Sequence, residues 1–163
     1  MLEKLVGSVV EILSAAGLNA GAAFPKQAAA RGSAFIAVGI RRASGRGAGF
    51  ARYLGVERDP ERGETEIYGM RCEVELALDI YAPMSEANGA AACSALFDRA
   101  AAALDGAAGL SVRELRCGEA APDRTAGMFL LRGEAACSAL LAAAGDDGDG
   151  TFTDFVLKGE LKR

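Results

Sequence analysis

The chain reads as an α+β domain: a mostly antiparallel sheet flanked by an N-terminal helix and a central helix. Three observations predict this. In residues 70–82, Cys72, Val74, Leu76, Leu78 and Ile80 take one side, while Arg71, Glu73, Glu75 and Asp79 take the other. Strand side chains alternate faces, so this is a long strand with one dry face and one charged face. A charged outer face belongs to an antiparallel sheet covered on one side only. Second, Leu2, Leu5, Val9, Ile12, Leu13 and Ala16 recur at helical spacing near the N-terminus. Third, Pro83 ends the long strand and an alanine-rich helical segment follows it.

A length of 163 residues predicts one domain spanning residues 1–163. A chain of this size buries about 70% of its unfolded surface, enough for its own core. Half the residues are apolar, at 51%, but many are alanine, aromatics make up only 6% and there is no tryptophan. The core is therefore expected to be thin and built of small side chains.

The elements follow in order. The first helix covers residues 2–16, with Gly17 as its stop. A short extended piece is expected around residues 22–25, because Pro25 biases Phe24 away from the helical region. Ser33–Arg41 reads as a strand, with Ile36, Val38 and Ile40 on one face. The following stretch is rich in glycine and charge, and residues at about 42–66 are expected to form a long flexible loop. Tyr53-Leu54-Gly55 reads as a short ordered piece within it.

After the 70–82 strand, a helix is expected over residues 85–104. Ser85 is placed to cap it, and Leu96, Phe97, Ala100 and Leu104 share a face. Leu110–Cys117 is a weaker strand. Thr125–Leu141 opens as a strand. Propensity alone would allow helix for Ala135–Ala144, but the context favours continued strand. Gly145–Gly150 reads as a turn and Phe152–Leu161 as a closing strand.

Net charge is −4 and the sequence pI is about 5.0, which argues against generic nucleic-acid or membrane binding. Two patches stand out. Arg41, Arg42, Arg46 and Arg52 crowd one window, and Asp146, Asp147, Asp149 and Asp154 form an opposite patch. Cys72, Cys93, Cys117 and Cys137 are widely spaced and form no CxxC pair. Their apolar contexts predict buried, reduced thiols.

There is no histidine, which removes Ser-His-Asp and Cys-His catalysis and the commonest metal ligand. Glu73 and Glu75 share a face as paired catalytic carboxylates do, but solvated outer-face residues explain them equally simply. Gly45–Phe50 lacks the Gly-Lys-Ser/Thr ending of a phosphate loop. Asp146–Thr151 lacks the register and closing glutamate of an EF-hand loop. No enzyme, cofactor or metal is expected.

Several short signatures occur in this layout. They are Phe24-Pro25, Tyr53-Leu54-Gly55, Glu66-Ile67-Tyr68-Gly69 leading into Glu73–Pro83, and Phe152-Thr153-Asp154-Phe155. Together they resemble the tail terminator and neck-type proteins of contractile-tailed phages, prophages and phage-tail-like bacteriocins. The resemblance spans nearly the whole chain and implies a structural role without catalytic residues. Such proteins form rings, typically of six copies, that cap the tail tube, end tube and sheath polymerisation and join the tail to the head. It also implies assembly in the bacterial cytoplasm, with tube, sheath or head-connector proteins as partners. Arg41, Arg42, Arg46, Arg52, Asp146, Asp147 and Asp149 are the candidate subunit-contact residues. The alternative is a small nucleic-acid or ligand binding module using the arginine- and glycine-rich loop.

Overall fold

A computed structural model describes residues 2–23, 32–47, 52–59, 63–84, 89–107 and 110–144. The chain is α+β, with a mostly antiparallel sheet, an N-terminal helix and a central helix. The order is α1 (Leu2–Ala15), β1 (Ala20–Ala22), β2 (Phe35–Gly47), β3 (Tyr53–Asp59), β4 (Gly63–Pro83), α2 (Gly89–Asp105), β5 (Ser111–Cys117), β6 (Ala121–Asp123) and β7 (Met128–Ala144).

Two long strands, β4 and β7, form the spine of the sheet. They pair antiparallel from Ile67 opposite Ala144 to Pro83 opposite Met128. Shorter strands flank each of them in tandem. β2 and then β3 run along the outer edge of β4. β6 and β5 run along the outer edge of β7. β1 adds a parallel pairing at Ile36–Val38. Residues 135–144 continue as strand, as their context predicts.

The charge-rich stretch at about 42–66, expected as a loop, is built differently. Residues 42–47 complete β2, 53–59 form β3, and 63–66 open β4. The physical reason lies in the partner strand. β4 offers a charged face, so Arg42 and Ser44 pair opposite Glu75 and Glu73 without entering the core. Gly45 faces the other way, where a Cβ would lie only 2.9 Å from the Met70 methyl. Glycine here makes room for Met70 rather than loosening the chain.

The helices cover one face of the sheet. Leu5, Val9 and Leu13 of α1, and Cys93, Phe97, Ala100 and Leu104 of α2, are buried there. They pack with Val74, Leu76, Leu78 and Ile80 of β4, and with Leu131, Ala135 and Cys137 of β7. No charged residue is buried among the described residues. Gly133 allows the closest approach: a Cβ would lie 2.8 Å from the Phe97 ring and 3.0 Å from the Leu78 carbonyl oxygen.

α1 closes with a paired hydrogen bond. The Leu18 amide donates to the Leu13 carbonyl, and the Gly17 amide to that of Ser14, with Gly17 at φ 72. Arg99 of α2 then donates to the Ala16 and Gly17 carbonyls at 3.3 Å each, tying the two helices together. α2 is described from Gly89; the expected cap at Ser85 lies outside the described residues, as do the expected turn at 145–150 and closing strand at 152–161.

Helix and strand lengths set the outline. A strand the length of β4, with 21 residues, spans about 70 Å at its usual rise. The longer helix, α2, with 17 residues, spans about 26 Å. The helices therefore leave one end of the sheet bare. There, β3 packs on the start of β4, residues 63–68, and forms an arm.

Candidate functional site

The face of the sheet opposite the helices is its open face. Strand alternation puts Arg71, Glu73, Glu75 and Asp79 of β4 there, as expected, and cross-strand register adds Arg132 and Glu134 of β7. Glu75 is exposed and Glu73 half-buried.

Two β-bulges complete the face. The β2–β4 register shifts between Ile40 and Arg42, leaving Arg41 as the extra residue. The β5–β7 register shifts between Val112 and Glu114, leaving Arg113 as the extra residue. Each bulge puts two consecutive side chains on the open face and keeps the apolar residues on either side facing the helices. In β5 this allows Val112 and Leu115, three apart, both to pack against the core.

Each bulge arginine reaches across an intervening strand. Arg41 bonds Glu134 at 2.7 Å and lies 4.0 Å from Asp79. Arg113 pairs with Glu73, crossing β7 near Ser138 and Ala136. Glu73 Oε2 and Asp79 Oδ1 are the shielded carboxylate oxygens without a hydrogen bond, so guanidinium charge is what compensates their burial. On β5, Arg116 grips Glu114 with two bonds of 2.6 Å. That bond holds the Glu114 carboxyl below its ordinary value.

Between these pairs lies a depression of about 130 Å³, lined by Arg42, Ser44, Glu73, Glu75 and Arg113. Its carboxylates face guanidinium groups: Glu73 meets Arg113, and Glu75 stands opposite Arg42. Such paired carboxylates are held ionised, which suits electrostatic contact rather than general acid/base work. At the end of the face away from the arm, the Phe35 and Tyr81 rings stack at 4.8 Å and 6°.

The predicted contact residues do not form one cluster. Arg41 and Arg42 belong to the ion-paired face. Arg46 stands directly opposite Arg71, a cross-strand pair of like charges. Arg52 lies at the junction between β2 and β3, at φ 64. Asp146, Asp147 and Asp149 lie outside the described residues. The last described residue before them, Ala144, pairs with Ile67 at the base of the arm.

Arg71, Arg113 and Glu134 were not singled out from the sequence. For Arg113 a signal existed: the Val112–Leu115 spacing does not fit regular alternation and implies an extra residue between them.

The cysteines are free. Cys72, Cys93 and Cys137 are buried as expected; Cys117 is exposed, because β5 is an edge strand. Burial pushes the Cys137 thiol up to about 11 and raises Cys72 as well. Among the described residues no group of cysteine, aspartate and glutamate is arranged to hold a metal, and no helix is long and apolar enough to cross a membrane.

No protein-family model matches the chain, and no curated protein matches it.

Proposed function

We propose that this protein is a structural assembly subunit: a homo-oligomeric ring protein of a phage-like tail that caps the tube, ends polymerisation and joins neighbouring components. The observation that carries this reading is the open face. It is broad and almost flat, its charges are held in fixed geometry by cross-strand ion pairs, and its depression is shallow. A preset charge pattern of this kind gives a macromolecular contact its orientation and on-rate more than its affinity. The short signatures Tyr53-Leu54-Gly55 and Glu66-Ile67-Tyr68-Gly69 support the same reading, since both fall on the arm.

The partners on this reading are further copies of the chain and the tube, sheath or head-connector proteins of the particle. Assembly takes place in the bacterial cytoplasm, and the ring then remains in the particle. The test is removal of the gene from a host that makes such particles, with tail length and completion measured by electron microscopy. Tails of uncontrolled length or unfinished ends are the expected result. Normal, finished tails would sink the role.

A further inference from the structure

We propose that the arm is the docking element for a second copy of this chain, engaged head to tail. Tyr53 and Tyr68 act on one face of the arm, and Arg46 and Arg71 act at its root on the other. This rests on the homo-oligomer reading above and specifies which surface makes the contact.

The first observation is apolar. Exposed large hydrophobic residues among those described are Tyr53 at 41%, Val56 at 47%, Tyr68 at 37% and Leu2 at 39%, so all but Leu2 lie on the arm. Tyr53 stands opposite Tyr68, and their rings meet edge-on at 5.7 Å. Val56 pairs with Glu66, two residues before Tyr68, and so shares that face. The Tyr68 hydroxyl donates to Glu66 at 2.5 Å, so its polar tip is satisfied within the chain. Rigid aromatic groups with satisfied polar ends are what interface centres use.

The second observation is electrostatic. Like charges directly opposite on neighbouring strands repel. Arg46 and Arg71 are placed this way, both exposed, with no acidic partner among the described residues. Acidic groups supplied by another molecule would relieve the repulsion.

The occupant follows from charge complementarity. The same chain presents exposed Glu3 and Glu11 on α1 and Asp98 and Asp105 on α2. The basic residues on those helices are Lys4 and Arg99, and Arg99 is already engaged by backbone carbonyls. The helical layer is therefore acidic on balance, and it also carries Leu2. One surface is basic and aromatic and the other acidic with an apolar residue, and both occur on every copy. Such a contact is heterologous and propagates from copy to copy. Edge-to-edge strand pairing fits less well, because β2 and β5 both carry bulges and arginines at their edges.

The experiment uses the full chain in light scattering and sedimentation over a range of concentration and salt. Three proteins are compared: wild type, an arm variant (Tyr53→Ser with Arg46→Glu and Arg71→Glu) and a helix variant (Glu3→Lys, Glu11→Lys and Asp98→Lys). The wild type is expected to oligomerise, and each variant to lose about thirtyfold or more in self-association, the scale of losing one hot-spot residue. An unchanged far-ultraviolet circular dichroism spectrum and melting temperature show that the variants fold. Mixing the two variants does not restore a ring: the intact arm of one pairs with the intact helical layer of the other, giving a dimer that cannot grow. A wild type that oligomerises together with an arm variant that does the same overturns this inference and leaves the oligomer reading standing. A wild type that stays monomeric overturns both. Low-salt binding of a single-stranded oligonucleotide by the wild type, lost in the arm variant without any change in self-association, overturns it in favour of a polyanion surface.

Discussion

Arg41 and Glu134 bond at 2.7 Å although their strands are not neighbours. β4 runs between them, and the residue it places opposite Glu134 is Ala77. The methyl group there leaves room for the guanidinium to cross. The bulge supplies Arg41 as an extra residue, so the contact costs the core-facing register nothing. Arg113 and Glu73 repeat the arrangement from the other side of the sheet.

Deleting Arg41 should be tolerated. Ile40 already pairs with Leu76 and Arg42 with Glu75, so removing the residue between them leaves a regular ladder. Side chains near 40% exposure at both ends of the Arg41–Glu134 pair place it in the weak class. The expected loss is about 1 kcal/mol or less by chemical denaturation. Failure of the shortened protein to fold would show that the bulge itself carries essential structure.

The two faces of β4 should respond very differently to truncation. Leu78 is fully buried and Glu75 is exposed. Leu78→Ala should cost about 2–5 kcal/mol, while Glu75→Ala should stay within about 0.5 kcal/mol. Equal effects in urea titrations would contradict the assignment of faces.

Gly133→Ala should destabilise even though alanine suits a strand better than glycine. The added methyl meets the Phe97 ring at 2.8 Å and the Leu78 carbonyl oxygen at 3.0 Å, and backbone cannot yield as a side chain can. About 1–3 kcal/mol is expected, the usual scale of overpacking. Combining it with Phe97→Leu should recover part of the loss. Absence of any recovery would place the clash elsewhere.

Thiol reactivity should separate the cysteines. In the native protein Cys117 should react rapidly with a disulfide reagent, while Cys72, Cys93 and Cys137 wait for unfolding. Equal, fast reaction of all the thiols would mean that the helices do not shield the sheet.

Stability should fall at high pH. The Cys137 thiol, ordinarily near 9.0, is raised by burial to about 11. Above pH 9 the unfolded chain releases this proton while the folded chain keeps it, so the unfolded state gains. The protonated thiol's contribution is thus complete below pH 9 and is lost as pH rises through 11; Cys72, also raised by burial, acts in the same direction. Denaturation midpoints at pH 7 and pH 10.5 test this. A Cys137→Ala protein should start less stable but lose less between the two pH values; an equal loss would assign the alkaline effect to other groups.

The charged face of β4 was legible in the sequence, because alternation is local and each residue reports its own side. The same holds for the helices, whose apolar spacing is a property of neighbouring turns. The strand character of 42–66 was not legible, because arginine and glycine adopt it only when β4 lies alongside. Glycine at 45 looks permissive in sequence and becomes obligatory only when Met70 occupies the space beside it.

Sequence alone thus determined the α+β class, the principal helices and strands, and which side of the main strand is dry. Periodicity in side-chain polarity is enough for each of these. Tertiary structure decided which charges meet. Register between strands far apart in the chain pairs Arg41 with Glu134 and Arg113 with Glu73, and sets Arg46 against Arg71. A single inserted residue changes such a register, and whether the insertion is absorbed as a bulge depends on what the partner strand and the helices above it can accommodate.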